Sequence, residues 1–379
     1  MDPLPLLRDL VATNSVNPSL VPGAPGEAAA AEVARVAMIE AGMDVVVQEA
    51  APGRPNVIGV LEGRLPGPSV MFCGHLDTVG VDGMHAPFDP RIAHGRLYGR
   101  GSQDMKAGVA AMIAAAGQLA ASWTAGRLIV AAVADEEHES LGALALVRDW
   151  RADVGIVTEP TGLAMATAHK GFAWLDIETR GRAAHGSRPD EGRDAICRMG
   201  RVLVELEARG RALRAGPPVG LQGTGSLHAS LVTGGRELSS YPDRCQLQME
   251  RRTVTGESND VVLGEVQAIL ARLTRADPEF EAEARLVLAR PAYEVPANHR
   301  LCTTLGAAIA RTGRAGTPVG ATFWTDAAIL GEAGITTVLF GPGGAGLHSV
   351  EEYVLLDDVY ICRDVLVDVA STLTRSAEG

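Results

Sequence analysis

Cysteine is sparse in this sequence and carries no pattern. Cys73, Cys197, Cys245, Cys302 and Cys362 are scattered, odd in number and free of any C-x-x-C pair. That argues against a disulfide framework and a thiolate zinc site, and it fits a reducing compartment. Basic charge is also short: 34 Lys plus Arg stand against 46 Asp plus Glu, a net charge of -12. Phosphate binding needs clustered cations, so no nucleic-acid partner is expected, although a locally basic site for a small anion stays open. The N-terminal stretch MDPLPLLRDLVATNSVNPS lacks the basic start and long apolar run of a signal peptide. No uninterrupted apolar stretch is long enough to span a bilayer, and the Ala-rich run after Lys106 reads as a buried helix. The expectation is a cytoplasmic protein with no membrane partner.

Several motifs are missing as well. There is no internal repeat, no low-complexity tract and no G-x-S-x-G nucleophile elbow. GRGSQDMKAG (Gly99–Gly108) has the glycines of a phosphate loop, but Ala107 follows Lys106 where a Ser or Thr is required. GPGGAG (Gly341–Gly346) follows a strand, yet no helix opens from it, so a dinucleotide site is not expected. Its backbone N–H groups, at Gly341 and Gly343, are candidates for steadying a substrate oxyanion instead.

What is present is an ordinary globular composition, 46% hydrophobic and 21% charged, in 379 residues. That length favours two domains. Helical apolar spacing runs from Glu27 to Ala41. Apolar runs at Asn56–Leu61, Val70–Cys73, Leu128–Val133, Val154–Val157 and Thr336–Phe340 read as strands among helices, the texture of an α/β domain with a mostly parallel central sheet. Between residues 172 and 286 the texture changes. Ala173–Arg180, Leu227–Thr233 and Cys245–Arg252 alternate, a helix is predicted over Asp194–Arg209, and a Gly/Pro-rich loop covers Ala215–Gly225. This reads as an antiparallel α+β insert. A second helix of the main domain follows at Leu301–Arg311. The expected organisation is a catalytic domain over 1–171 and 287–379, interrupted by a smaller domain over 172–286.

The chemistry lies in where the ligand-type residues fall. His75 and Asp77 follow one predicted strand, Asp135, Glu136 and Glu137 another, Glu159 a third, and His348 a loop after a fourth. Open α/β sheets bind ligands beyond the carboxyl ends of their strands, so four strands deliver histidines and carboxylates to one edge. Taken singly, each residue has a plainer reading. Asp104 precedes the helical run Met105–Ala121 and reads as an N-cap; His75 and Asp77 read as a loop pair, Glu136 and Glu137 as solvated carboxylates, Glu159 as a turn residue and His348 as a loop histidine. Together, two histidines and several carboxylates without cysteine suit zinc, with cobalt or manganese as alternatives. At least five candidates gather where one metal needs about three, so two metals fit better. A carboxylate such as Asp104 can bridge them. One of the adjacent Glu136 and Glu137 can ligate while the other moves protons, and Asp77 is placed to fix the tautomer of His75.

These stretches resemble a family of metal-dependent deacylases and exopeptidases that includes acetylornithine deacetylase, succinyl-diaminopimelate desuccinylase, aminoacylase and glutamate-releasing carboxypeptidases. The resemblance is carried by FCGHLDTV (Phe72–Val79), GRLYGRGSQDMKAG (Gly95–Gly108), ADEEHESLGA (Ala134–Ala143), IVTEPT (Ile156–Thr161), RGRAAHGSRPDEGRDAI (Arg180–Ile196), FWTDA (Phe323–Ala327), FGPG and LHSVEEYV (Leu347–Val354). It implies a zinc-exopeptidase-like catalytic domain and a lid and dimerisation domain in the insert. Asp104 would bridge two divalent metals, His75 and Glu159 would serve one, Glu137 and His348 the other, and Glu136 would be the general base. His185 would reach a neighbouring subunit's site and steady the oxyanion, and Arg252 would grip a substrate carboxylate. The implied reaction is amide hydrolysis of an N-acyl amino acid. A carboxypeptidase or dipeptidase reaction is the alternative, and a metal-binding protein without turnover is the rival from outside enzymology. His138 stands where relatives carry an apolar residue, Gly83–Pro90 (GMHAPFDP) lacks a common tryptophan, and Asp243 replaces an Asn of some relatives in the lid.

Overall fold

The structure, a computed structural model, describes residues 1–374. Two compact units form. The first comprises Met1–Thr167, Val295–Val319 and the chain from Thr325 onward, and the second comprises Ala168–Glu294 with Gly320–Trp324. The second unit is wider than the change in sequence texture, because short strands without clear alternation flank it.

At the centre of the first unit, Leu65–His75 runs parallel to Ala125–Val133 on one side and to Val154–Val157 on the other; Thr336–Leu339 adds a fourth parallel strand next to Val154–Val157. An antiparallel pair, Asp44–Ala51 and Arg54–Glu62, extends the edge beyond Ala125–Val133. Val154–Val157 is buried along its whole length, as a parallel strand covered on both faces must be. The Ala-rich helix spans Ala107–Leu119, with eleven buried residues. Residues 102–122 would be long and apolar enough to cross a membrane, but 72% of that window is buried inside the fold. Its small side chains let the helix lie close to the sheet: a Cβ on Gly108 would stand 2.1 Å from the carbonyl oxygen of Thr158.

The start of this helix corrects the N-cap reading of Asp104. A wide π turn, Ser102–Lys106, precedes the helix, Lys106 takes the cap position, and Asp104 has extended backbone angles within the turn. Its carboxylate is thereby released from the helix end.

The second unit is a four-stranded antiparallel sheet in the order Ser226–Gly234, Arg244–Thr253, Gly171–Arg180, Glu281–Arg290. Helices Ala195–Ala215 and Asn259–Ala276 supply Met199, Val202, Leu206, Val262, Val266, Ile269 and Leu270 to one core with Leu175, Ile177 and Leu247. Asp194 caps the first of these helices by accepting from the Cys197 N–H at 2.9 Å, and the helix runs six residues beyond its predicted end at Arg209. The second helix was not anticipated, although Ser258 caps it and its buried positions follow helical spacing.

Candidate metal centre

The parallel strands of the first unit end in register, with His75 opposite Val133, Cys73 opposite Val157, and Val157 opposite Leu339. This alignment brings the residues just past each strand to one edge. Two of the delivering loops turn through left-handed backbone, at Asp135 (φ 70°) and His348 (φ 57°), a conformation aspartate tolerates better than most side chains. Asp104 is held by Glu352, whose carboxylate accepts the N–H groups of Gly101 (3.0 Å), Gln103 (2.8 Å) and Asp104 (3.1 Å) and pairs with Arg100 at 2.6 Å.

Asp104 turns one oxygen towards each histidine. Its Oδ1 lies 3.2 Å from His75 Nε2 and its Oδ2 3.4 Å from His348 Nε2. Glu137 Oε2 is 3.2 Å from His348 Nε2, and Glu136 Oε2 is 3.9 Å from His75 Nε2. Ligand atoms of His75, Asp104 and Glu137 fall within 4.8 Å of one another, as do those of His75, Glu136 and Glu159. The other ring nitrogen of His75, Nδ1, is 3.0 Å from the Asp77 carbonyl and 3.5 Å from its carboxylate, so Nε2 faces the carboxylates. Asp77 also accepts the N–H groups of Glu136 and Glu137, both at 3.1 Å. It fixes the histidine and the acidic loop at once.

The electrostatics are those of a cation site. Burial, followed by the Glu159 charge, raises Glu136 well above the ordinary carboxylate range; burial, with the charges of Asp104, Asp326 and Glu137 working against His75, raises Glu159 well above it; burial and the Asp104 charge raise Glu137. The favourable charges come from the two histidines. Burial would push His75 down, yet Asp104 and Asp77 outweigh it and hold the ring well above its usual value. Asp104, followed by Glu137, holds His348 up to about 10. Burial opposes ionisation of Asp104, but His348 and His75 keep its carboxyl far below the usual range. Glu159 Oε1 is buried without a hydrogen-bond partner. An orphaned carboxylate oxygen beside two histidines and three further carboxylates fits hard or borderline divalent cations.

His185, Asp243 and Arg252 lie in the second unit. His185 is exposed, and the Ser187 N–H donates to its Nδ1 at 3.2 Å. Asp243 pairs with Arg236 at 2.7 Å. Arg252 is engaged by Glu250, Nε to Oε1 at 2.6 Å, so a substrate carboxylate has to compete for it. The proposed role of Gly341 and Gly343 as N–H donors does not survive: Gly341 donates to Thr161 Oγ1 (3.0 Å) and Gly343 to Asp358 Oδ2 (3.1 Å). A Cβ on Gly341 would stand 2.3 Å from the Glu159 carbonyl oxygen, so this glycine serves close packing behind a site carboxylate. His138 belongs to none of the ligand groupings found among the described residues. Cys73 is buried within its strand, as read from the sequence.

Sequence reasoning missed Glu352, Asn17, Glu27, Arg54 and Asp326. The last is buried, and its charge adds to the rise of Glu136 and Glu159. No spacing rule links these positions to the ligands; FWTDA contains Asp326 and LHSVEEYV contains Glu352, but neither stretch pointed to a role for them.

The model of peptidase family M20/M25/M40 matches residues 71–372. Acetylornithine deacetylase of Myxococcus xanthus is 32% identical over 328 residues, 84% of each chain. In fold, the chain is similar to a tripeptidase from Staphylococcus aureus subsp. aureus mu50 (TM-score 0.81, 18% identity, 99% of this chain and 98% of the other). It is also similar to a dinuclear metal-binding peptidase of the M20 family from Bacillus subtilis (TM-score 0.75, 15% identity, 99% and 98%).

Proposed function

The chain belongs to peptidase family M20/M25/M40 and is a hydrolase of the amidohydrolase and metallopeptidase type; from that premise we propose that it cleaves the amide bond of an N-acyl amino acid with two divalent metals. The observation that carries the two-metal reading is Asp104, with one carboxylate oxygen towards His75 and the other towards His348. In this reading His75 and Glu159 would hold one ion, Glu137 and His348 would hold the other, and Asp104 would be shared by both. Zinc suits the set best, and cobalt and manganese accept the same donors. When bound, such ions polarise the scissile carbonyl and make water nucleophilic near neutral pH.

The remaining chemistry is that of the chain. Glu136 takes the proton of the attacking water and hands it to the leaving nitrogen, a role suited by its burial and raised affinity for a proton. Asp77 positions His75 and the backbone of Glu136 and Glu137. His185 of a second copy steadies the oxyanion through Nε2, the ring nitrogen left free while Nδ1 contacts the Ser187 hydroxyl (2.8 Å) and N–H (3.2 Å). Arg252 and Asp243 tune recognition of the substrate's carboxylate and amine. The acyl-amino-acid reading is supported by the identity with the Myxococcus xanthus deacetylase. A carboxypeptidase or dipeptidase reaction is the second reading, supported by membership of a family of peptidases.

The second unit is assigned as a lid and dimerisation domain. Its strand Ser226–Gly234 is a sheet edge carrying exposed Leu231 and Val232, and Val204 on the adjoining helix is 65% exposed. Unpaired apolar edges of this kind are otherwise aggregation-prone, and a second copy of the chain would cover it. A cytoplasmic location fits the five free cysteines.

The test is Glu136→Gln, assayed with N-acetylornithine, N-succinyl-diaminopimelate, N-acylglutamate and dipeptides. Retained metal with a loss of roughly 100-fold or more in kcat is expected for removal of a general base. Unchanged hydrolysis sinks the assignment of Glu136, and turnover of dipeptides alone favours the second reading.

A further inference from the structure

Behind the ligand shell lies a second acidic cluster. Glu27, Asp77 and Asp135 are fully buried, and their carboxylates come within 4.8 Å of one another. Such a trio invites either a cation or internal donors, and here donors occupy it. Arg54 donates to Glu27 through Nε (2.5 Å) and Nη2, and to Asp135 Oδ1 at 2.9 Å. Asn17 Nδ2 donates to Asp77 Oδ2 (2.8 Å) and to Asp135 Oδ1 (2.9 Å). The Asp135 N–H donates to Glu27 Oε1 at 3.1 Å.

Asn17 is fixed at every end. Its side-chain oxygen accepts the Ser19 N–H at 2.9 Å, which aims the amide nitrogen at the carboxylates. Its backbone N–H donates to the Thr78 carbonyl at 2.9 Å, and Ser15 Oγ donates to the Leu76 carbonyl at 2.7 Å. The segment Ser15–Asn17 is thus laced to Leu76–Thr78, directly after His75. Asp135 takes the other side, its Oδ2 accepting the N–H groups of Glu139 (3.3 Å) and Leu141 (3.4 Å).

We propose that Asn17 is a positioning residue of the metal centre. By holding Asp77 and Asp135 through one amide nitrogen, with Arg54 as counter-charge, it makes the loops after Leu65–His75 and Ala125–Val133 a single body. The spacing of His75 from Glu136 and Glu137 is set by this clasp and not by the sheet alone. Second-layer partners of this kind tune metal affinity by orienting the groups that bind.

The inference rests on the two-metal reading above, and its test separates the two. Zinc affinity is measured by competition with a chromogenic chelator in the wild type and in Asn17→Leu, which roughly keeps the volume and removes the two donated hydrogen bonds together with the one accepted from Ser19. Melting temperatures of metal-free and metal-loaded protein are recorded together with amide exchange at Glu136 and Glu137. Asn17→Leu is expected to lose about 10–100-fold in zinc affinity, the range for such partners, with faster exchange at both amides and kcat reduced more than KM is raised. If Asn17→Leu does not fold, Asn17→Ser, which keeps one donor, is read in the same way for a smaller loss. Unchanged affinity with an equal drop in melting temperature for both forms means a purely structural role and overturns the inference. A wild type that takes up none of zinc, cobalt and manganese overturns the two-metal reading itself.

Discussion

Substitution of Gly108 by Ala tests how tightly the centre depends on packing beneath it. Gly108 lies in the buried helix Ala107–Leu119, and a Cβ there would stand 2.1 Å from the Thr158 carbonyl oxygen and 2.7 Å from its Oγ1. Real Cβ contacts stay beyond 3.0 Å, so helix and strand must part by about 0.9 Å. A backbone carbonyl cannot rotate out of the way, and the helix has eleven buried residues that resist translation. Overpacking of this kind costs roughly 1–3 kcal/mol, and alanine returns about 1 kcal/mol of helix propensity, leaving a net loss of about 2 kcal/mol at the upper end. The larger effect is local. Thr158 precedes Glu159, and a Cβ on Gly341 would stand 2.4 Å from the same Thr158 carbonyl oxygen and 2.3 Å from that of Glu159, so this backbone is closely packed by two glycines. Glu159 has no room to stay in place, and a displacement near 1 Å in a reacting centre costs on the order of 100-fold in rate. The assay is thermal unfolding together with metal content and kcat/KM. Gly264→Ala, in a helix where a Cβ meets nothing within 4 Å, is the control and is expected to stabilise by about 1 kcal/mol. Wild-type melting, metal content and activity in Gly108→Ala would refute the reasoning.

Further outcomes follow from the same geometry. His348 is held up to about 10 in the metal-free protein, above the ordinary 6.5. Its pairing therefore stabilises that form fully below pH 6.5 and is lost as pH rises towards 10. A metal needs the neutral ring, so uptake at pH 7 should release protons and tighten with rising pH; titration calorimetry in buffers of different ionisation heat reads this, and absence of proton release counts against His348 as a ligand. Glu352→Gln leaves Arg100 without its charged partner and replaces with an amide NH2 one of the two oxygens that accept the N–H groups of Gly101, Gln103 and Asp104. A loss of about 3–5 kcal/mol is expected with lowered metal content, and an unchanged urea midpoint would contradict it. Leu231→Arg should shift the protein from dimer to monomer in sedimentation while leaving secondary structure intact; a monomeric wild type would remove the dimer proposal.

Sequence by itself brought most of the candidate ligands into view. HLD, DEE and TEP each follow a continuous apolar run, and such runs become buried parallel strands because no polar face is available to solvent. Parallel strands in register then bring whatever follows them to one edge, which is why His75, Glu136, Glu137 and Glu159 converge. Gly171–Arg180 and Arg244–Thr253 of the second unit were legible for the matching reason, one covered face and one wet face, whereas Ser226–Gly234 alternates in sequence but is mostly exposed along its length. Three features were decided only in three dimensions. Asp104 looked like a helix cap because local pattern cannot show that a π turn shifts the helix start to Ala107. Gly341 looked like an oxyanion donor because sequence does not show that Thr161 takes its N–H or that its missing side chain makes room for the Glu159 carbonyl. The clasp of Asn17, Arg54 and Glu27 had no signal at all. It joins residues 27 to 118 positions apart, through hydrogen bonds whose geometry exists only after the sheet has formed.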